Sequence, residues 1–274
     1  MTTPKIVFSG ARGAFGELAA RRHFGENADI SPVLGFDAVF NAIKRKKADF
    51  GVVPIENSCA GSVYQNYDLL QNSRLYIVGE VFLQVNHFLL AKPGTHIGAV
   101  RRVLSHPQAL AQCARFLKHH PQMKQVEADN TALAAKAVSE DGCADTAAIA
   151  SSRAAEDFGL DVLVPNIQDR DDNVTRFLVV GRDRSERGEV PRKTSIVFSL
   201  KNTPSALFKA LGVFALRDID LLKIESRPKD GEGCYLFYLE CEGDIEDDTV
   251  KNAISHLKEI APFYQLLGSY DIGV

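Results

Sequence analysis

The chain reads as an α/β protein in two parts, an α/β domain followed by a smaller ferredoxin-like α+β unit. Three observations predict this. Up to about residue 182, short apolar runs alternate with helix-like stretches, the β-α-β-α order of largely parallel sheets. Residues 183–192 are polar and carry Gly188 and Pro191, so they read as a linker. Beyond it, residues 193–274 change to a β-α-β-β-α-β order.

The elements follow from local pattern. Ile6-Val7-Phe8 marks a strand over 5–9, and Gly51-Val52-Val53 one over 50–55. Further apolar runs predict strands at 75–83, 85–91, 102–105, 126–128, 146–150 and 176–181. Helical spacing predicts helices at 16–24, 36–46, 107–118, 131–140 and 151–158. Pro107 suits a first helical position, while Asp129-Asn130-Thr131 and Ser151 suit helix caps. After the linker come a strand at 194–200 and a helix at 204–216, with Thr203 as its cap and Pro204 in its first turn. Strands at 221–227, 235–241 and 263–270 and a helix at 245–257 complete the unit.

Bulk properties exclude several functions. The 274 residues are 45% hydrophobic and 24% charged, which is ordinary for a globular protein with room for two domains. The net charge of −3 offers no field for nucleic acid or a membrane surface. No apolar run approaches the roughly 20 residues of a bilayer span. The start, Met1-Thr2-Thr3-Pro4-Lys5, enters a strand with no apolar signal segment, which points to the cytoplasm. Cys59, Cys113, Cys143, Cys234 and Cys241 are scattered and odd in number, without the spacing of a disulfide framework or zinc site. No His pair has metal-ligand spacing, so no metal is expected.

Several strand ends carry a small polar residue that opens a helix. Ser9-Gly10-Ala11-Arg12-Gly13, Ser105-His106-Pro107 and Asp129-Asn130-Thr131 are of this kind. Pro54-Ile55-Glu56-Asn57-Ser58 brings an amide and a hydroxyl to the end of another strand. Helix starts present free N–H groups, and ligands of open parallel sheets bind beyond the carboxyl ends of strands. Ser9, Gly13, Asn57, Ser58, Ser105 and Thr131 therefore mark a cleft for a carboxylate ligand. Gly10-x-x-Gly13-x-x-Gly16 is no dinucleotide fingerprint, and no Walker lysine follows, so NAD and ATP are disfavoured and no cofactor is expected. Nothing resembles a nucleophile elbow.

Asn173-Val174-Thr175-Arg176-Phe177 sets an amide, a hydroxyl and a guanidinium at the mouth of an apolar strand. Polar groups there are more often site than core, because burial would demand partners for all of them. Arg176 has the planar fork that grips a carboxylate, and it could instead tie the strand to a neighbouring loop. Glu56 is placed to pair with a cation.

Taken together, these motifs resemble the prephenate dehydratase family. The resemblance spans nearly the whole chain and adds Gly10-Ala11-Arg12-Gly13-Ala14-Phe15 and Ser105-His106-Pro107-Gln108-Ala109-Leu110. The tail resembles an ACT domain, with Lys223-Ile224-Glu225-Ser226-Arg227-Pro228. Asn66-Tyr67-Asp68-Leu69-Leu70 is similar to the related arogenate dehydratases.

The resemblance implies a carbon–oxygen lyase of phenylalanine biosynthesis that turns prephenate into phenylpyruvate, CO2 and water. Arogenate is the alternative substrate, and a non-catalytic amino-acid-binding regulator the alternative of another class. It implies a type II periplasmic-binding-like catalytic domain over 1–182, with lobe one at 1–80 and 165–182 and lobe two at 82–160. Thr175 is assigned the leaving hydroxyl, as proton donor or as hydrogen-bond donor only. Arg176, Asn57, Ser58, Asn173 and Phe177 are assigned to the substrate. Phenylalanine is the implied effector, held by Asn202, Ser205, Ala206, Leu207, Glu225, Ser226, Arg227 and Pro228 where two copies pair in a homodimer or homotetramer. The family often has glycine where this chain has Ser205.

Overall fold

The computed structural model describes residues 3–141, 143–188, 190–228 and 235–273. Cys234, and Glu189 of the expected linker, lie outside them. In chain order the elements begin with β1 (Lys5–Ser9), α1 (Phe15–Phe24), β2 (Asp29–Val33), α2 (Phe36–Lys44) and β3 (Phe50–Asn57). There follow β4 (Gly61–Ser62), α3 (Tyr64–Ser73), β5 (Tyr76–Gln84), β6 (Phe88–Ala91) and β7 (Arg102–Ser105). Next come α4 (Pro107–Gln112), α5 (Ala114–Lys118), β8 (Lys124–Glu127) and α6 (Thr131–Glu140). After these lie β9 (Thr146–Ala150), α7 (Ser152–Phe158), β10 (Asp161–Val164) and β11 (Val174–Gly181). The last stretch holds β12 (Arg192–Leu200), α8 (Ala206–Ala215), β13 (Leu221–Pro228), β14 (Tyr235–Glu242), α9 (Asp248–Ile260) and β15 (Phe263–Asp271).

The strands form three sheets. The first runs β2-β1-β3-β11-β5, with β4 paired to β3. The second runs β10-β6-β9-β7-β8, and the third β13-β14-β12-β15. Parallel pairs hold β1 to β2 and β3, and β7 to β8 and β9. β6 and β10 join the second sheet antiparallel. β9 shows why that sheet needs cover on both faces. Its Ala147 and Ile149 enter a core with α4 and α5, while Ala148 and Ala150 enter another with α6 and α7.

Some local expectations are corrected. β2 was not predicted; it carries Pro32 and ends its sheet, where an edge strand tolerates proline. The helix expected over 107–118 breaks at Cys113. There the Asp169 N–H donates to the Gln112 carbonyl (2.7 Å), and the Asp169 carboxylate accepts from the Arg115 N–H (3.0 Å). A crossing segment thus takes over part of the helical ladder. α8 starts at Ala206 rather than 204. Ser205, not Thr203, precedes it, with a left-handed φ of 63° that suits glycine better than serine.

By compactness the chain divides into one unit of 1–64 with 81–177 and another of 65–80 with 178–274. The divisions fall inside α3, β5 and β11, whereas a boundary at 182/183 was expected. All of α3 after Tyr64 and the start of β5 therefore belong with the C-terminal unit. In that unit Tyr67 of α3 meets Tyr238 of β14 edge to face at 4.8 Å, and the Tyr238 hydroxyl donates to the Tyr67 carbonyl (3.2 Å). Lys193 of β12 pairs with buried Glu80 of β5 at 2.7 Å.

The third sheet and its helices have the β-α-β-β-α-β order of a ferredoxin-like unit, all strand pairs antiparallel. α8 and α9 share one core with the sheet, centred on Ile196, Phe198, Phe214 and Leu257. Backbone approach makes Gly268 of β15 obligatory: an added Cβ would stand 2.1 Å from the Ile77 carbonyl oxygen. Backbone cannot yield as a side chain can, so Gly268→Ala should destabilise the protein by about 1–3 kcal/mol. Thermal unfolding measures this, and an unchanged Tm would show that the strands slide apart freely.

Candidate active site

The carboxyl ends of β1 and β3 face the starts of α4 and α6 across a cavity of about 660 Å³. Four helix starts ring it, those of α1, α2, α4 and α6. α1 and α2 are preceded by Ala14 and Gly35, and neither has a side-chain cap. Phe15, Gly16 and Phe36, at these two helix starts, line the cavity. α4 is capped by His106, whose Nδ1 accepts from the Gln108 N–H at 3.2 Å. α6 is capped by Asn130, whose Oδ1 accepts from the Leu133 N–H at 2.8 Å. Asp129 is the one charged residue lining the cavity among the described residues. Attraction for an anion therefore comes from oriented N–H groups and helix ends rather than from a cation.

Asn57, at the end of β3, organises the floor. Its Nδ2 donates to Oγ1 of Thr175 (2.8 Å) and to Oδ1 of Asn173 (2.7 Å). Its Oδ1 accepts from the N–H groups of Cys59 and Ala60 at 3.0 and 2.9 Å. Those two bonds fix which end of the amide faces Thr175. With one oxygen lone pair taken, the Thr175 hydroxyl is free to donate its own proton into the cavity that it lines.

Strand alternation sorts the β11 residues. Thr175 and Phe177 line the cavity and Arg176 does not. Arg176 is buried, pairs with Glu56 at 3.2 Å and lies 5.8 Å from the centre of the Phe82 ring. The assignment of Arg176 to a substrate carboxylate is thus corrected. It ties β11 to β3, and Glu56 takes its expected pairing role. Arg176→Ala should cost roughly 1–3 kcal/mol, less than a fully buried pair because the Glu56 side chain keeps 32% of its surface exposed. Chemical denaturation gives the loss, and KM separates it from a binding role. A large rise in KM with stability unchanged would restore the carboxylate assignment.

Other expected residues divide in the same way. Ser9, Asn57 and Thr131 line the cavity. Ser58 does not; its hydroxyl donates to the Asp172 carbonyl (2.9 Å) and accepts from the Val174 N–H (3.0 Å). Ser105 is fully buried and donates to the Ile149 carbonyl at 2.6 Å, so it joins β7 to β9 and touches no ligand. Gly13 adopts φ 79° and presses on α7, where a Cβ would meet Ala154 at 2.6 Å. Its carbonyl accepts from the Ser151 hydroxyl at 2.6 Å. Asn173 is buried behind Asn57 and supports it. These four act on the shape of the site: the Ser58 and Ser105 hydroxyls and the Gly13 carbonyl are taken by partners within the fold, and the Asn173 Oδ1 by Asn57.

The sequence reading missed His87, Gln112 and the Gly35-Phe36 helix start, all of which line the cavity. Gly35 before a helical pattern, with no capping side chain, was a usable signal. His87 and Gln112 carried none, since they meet only through the fold.

The effector residues fall in two groups. Asn202, Ser205, Ala206 and Leu207 line a smaller cavity of about 230 Å³ with Phe208 and Tyr235. Glu225, Ser226, Arg227 and Pro228 lie on β13 and do not line it. Arg227 instead pairs with Asp68 of α3 at 3.4 Å. Within one chain, then, the two groups form no common pocket.

A hydroxyl held by an amide, in a cavity ringed by helix starts within a two-lobed α/β domain, has the make-up of an enzyme site for a small organic acid. A family model described as prephenate dehydratase matches residues 6–185. Arogenate dehydratase/prephenate dehydratase 2 of Arabidopsis thaliana is 46% identical over 279 residues, 98% of this chain and 73% of the relative. A prephenate dehydratase from Arthrobacter aurescens, solved in complex with L-Phe, superposes with a TM-score of 0.89 at 33% identity, covering 97% of this chain and 89% of that one. GqqA, described as a novel type of quorum quenching acylase, matches at TM-score 0.89 and 32% identity over 97% of both chains. The chain belongs to the prephenate dehydratase family, and it is a dehydratase of phenylalanine biosynthesis with a C-terminal ACT-like unit.

One expectation is overturned by the same relatives. Six relatives from Arabidopsis thaliana are named chloroplastic, against the cytoplasmic reading. Composition suits any aqueous compartment, so it never distinguished one from another.

Proposed function

We propose that the chain performs the decarboxylating dehydration of prephenate to phenylpyruvate, and of arogenate to phenylalanine by the same step. Both substrates lose the ring carboxylate as CO2. The electron pair of that C–C bond enters the ring and expels the hydroxyl across from it, which leaves as water once protonated. Aromatisation supplies the driving force, so the protein's task is to hold the anion and ease the departure of hydroxide.

The observation that carries this reading is the Thr175 hydroxyl, oriented by Asn57 at 2.8 Å and lining a cavity ringed by helix starts. A threonine hydroxyl is a weak acid, and it acts here by donating a hydrogen bond to the developing charge. The names of the plant relatives support arogenate as a substrate. The Arthrobacter complex with L-Phe supports phenylalanine as an effector. Its place is the ACT-like unit, in an assembly of two or four copies. Nothing in a purely regulatory role requires the Asn57–Thr175 pair.

The test is incubation of the purified chain with each acid. Phenylpyruvate is followed by its absorbance in alkali and phenylalanine by chromatography, with and without added phenylalanine. Failure to aromatise either acid ends the proposal. Hydrolysis of an N-acyl substrate in its place would show that the fold serves the acylase chemistry of GqqA.

A further inference from the structure

We propose that His87 is a positioning residue: it fixes the Gln112 amide so that the N–H donors of Gln112 face the cavity and hold a carboxylate of the substrate. The inference deepens the dehydratase reading and rests on it. His87 lies in the connector between β5 and β6, and Gln112 ends α4. Both line the cavity.

His87 is 1% exposed, and its ring meets Phe15 edge-on at 5.8 Å. Its backbone is pinned on both sides. The N–H donates to Oε1 of Gln168 (2.9 Å), and the carbonyl accepts from the Ile167 N–H (2.9 Å). The ring Nε2 stands 2.8 Å from Oε1 of Gln112, whereas Nδ1 is buried without a hydrogen-bond partner. A buried N–H with no acceptor is rarer and costlier than a bare acceptor, so the ring proton belongs on Nε2. Burial also holds the ring's pKa below its ordinary value, against a smaller opposing effect of the Gln112 bond, and this keeps the ring neutral.

The consequence falls on Gln112. Nε2–H of His87 can only donate, so it must face the amide oxygen. The two N–H donors, at the other end of the same planar group, are then turned toward the cavity. The Gln112 backbone is held as well, since its carbonyl accepts from the Asp169 N–H at 2.7 Å. Without His87 the amide is free to flip and present its oxygen to the substrate. In a cavity whose attraction rests on oriented donors, that exchanges attraction for repulsion.

Steady-state kinetics of the full chain on both acids test the proposal. His87→Phe should raise KM about tenfold or more, the effect of one charge-assisted hydrogen bond, and change kcat less. His87→Gln restores an N–H donor and should recover part of that loss. Gln112→Leu should raise KM similarly, and adding His87→Phe to it should cost little more, because both act through one bond. Losses that multiply in the double variant, or an unchanged KM in His87→Phe, overturn the proposal. If His87→Phe does not fold, His87→Gln alone and combined with Gln112→Leu gives the same comparison. A nitrogen-15 spectrum of the histidine ring in the wild-type chain reads the tautomer without turnover. Protonated Nε2 with bare Nδ1 is expected, and the reverse overturns the assignment. An inert wild-type chain with the expected tautomer would count against the dehydratase reading, and against carboxylate binding by Gln112, but not against the hydrogen-bond geometry.

Discussion

Thr175→Ala lowers kcat by about 10²–10³, with little change in KM and an intact fold. The size is that of deleting one preorganised donor to a developing negative charge. The direction follows from where the hydroxyl sits: it lines the cavity, and its oxygen is already occupied by Asn57. The bond it makes strengthens as the C–O bond breaks, so its loss appears in kcat rather than in ground-state binding. Thr175→Ser keeps the hydroxyl and should keep much of the rate. Steady-state kinetics with either acid decide, and circular dichroism confirms folding. Near-normal turnover in the alanine variant would remove Thr175 from the mechanism.

Asn57→Asp is expected to be at least as damaging, although it changes little in shape. It replaces the Nδ2 donors, now 2.8 Å from Thr175 Oγ1 and 2.7 Å from Asn173 Oδ1, with a carboxylate oxygen. The Thr175 hydroxyl then has a strong acceptor beside it and donates there instead of to the substrate. Two oxygens also face each other at Asn173, and a negative charge enters a cavity meant for an anion. The kcat should fall by about 10²–10³ for the lost donor, and KM should rise as well. This double effect separates Asn57 from Thr175, whose loss acts on kcat alone. An unaltered KM in Asn57→Asp would mean that the substrate's charge lies elsewhere.

How much was legible depended on whether a signal was local. β1, β7, α6 and β9 stood in the sequence at their observed bounds, because apolar runs and caps are short-range features. Thr175, Asn57, Ser9 and Thr131 were legible as cavity residues, since they stand at strand ends and helix starts, where ligands of such sheets bind. Arg176 misled for a reason of the same kind. Its chemistry suits a carboxylate, but one step along a strand turns a side chain to the other face. Ser58 and Ser105 look like ligand donors in sequence and are spent on backbone carbonyls distant in the chain. The break at Cys113 depends on Asp169, 56 residues further on, so the 107–118 pattern could not show it.

The sequence by itself determined the class of fold, the β-α-β-β-α-β tail and the polar residues at strand ends and helix starts, because periodicity and capping are written in neighbouring residues. Tertiary structure alone decided that Arg176 braces Glu56, that α3 packs with the C-terminal unit and that His87 holds Gln112. Each of those is a contact between groups far apart in the chain, and its partner exists only once the backbone has closed around it.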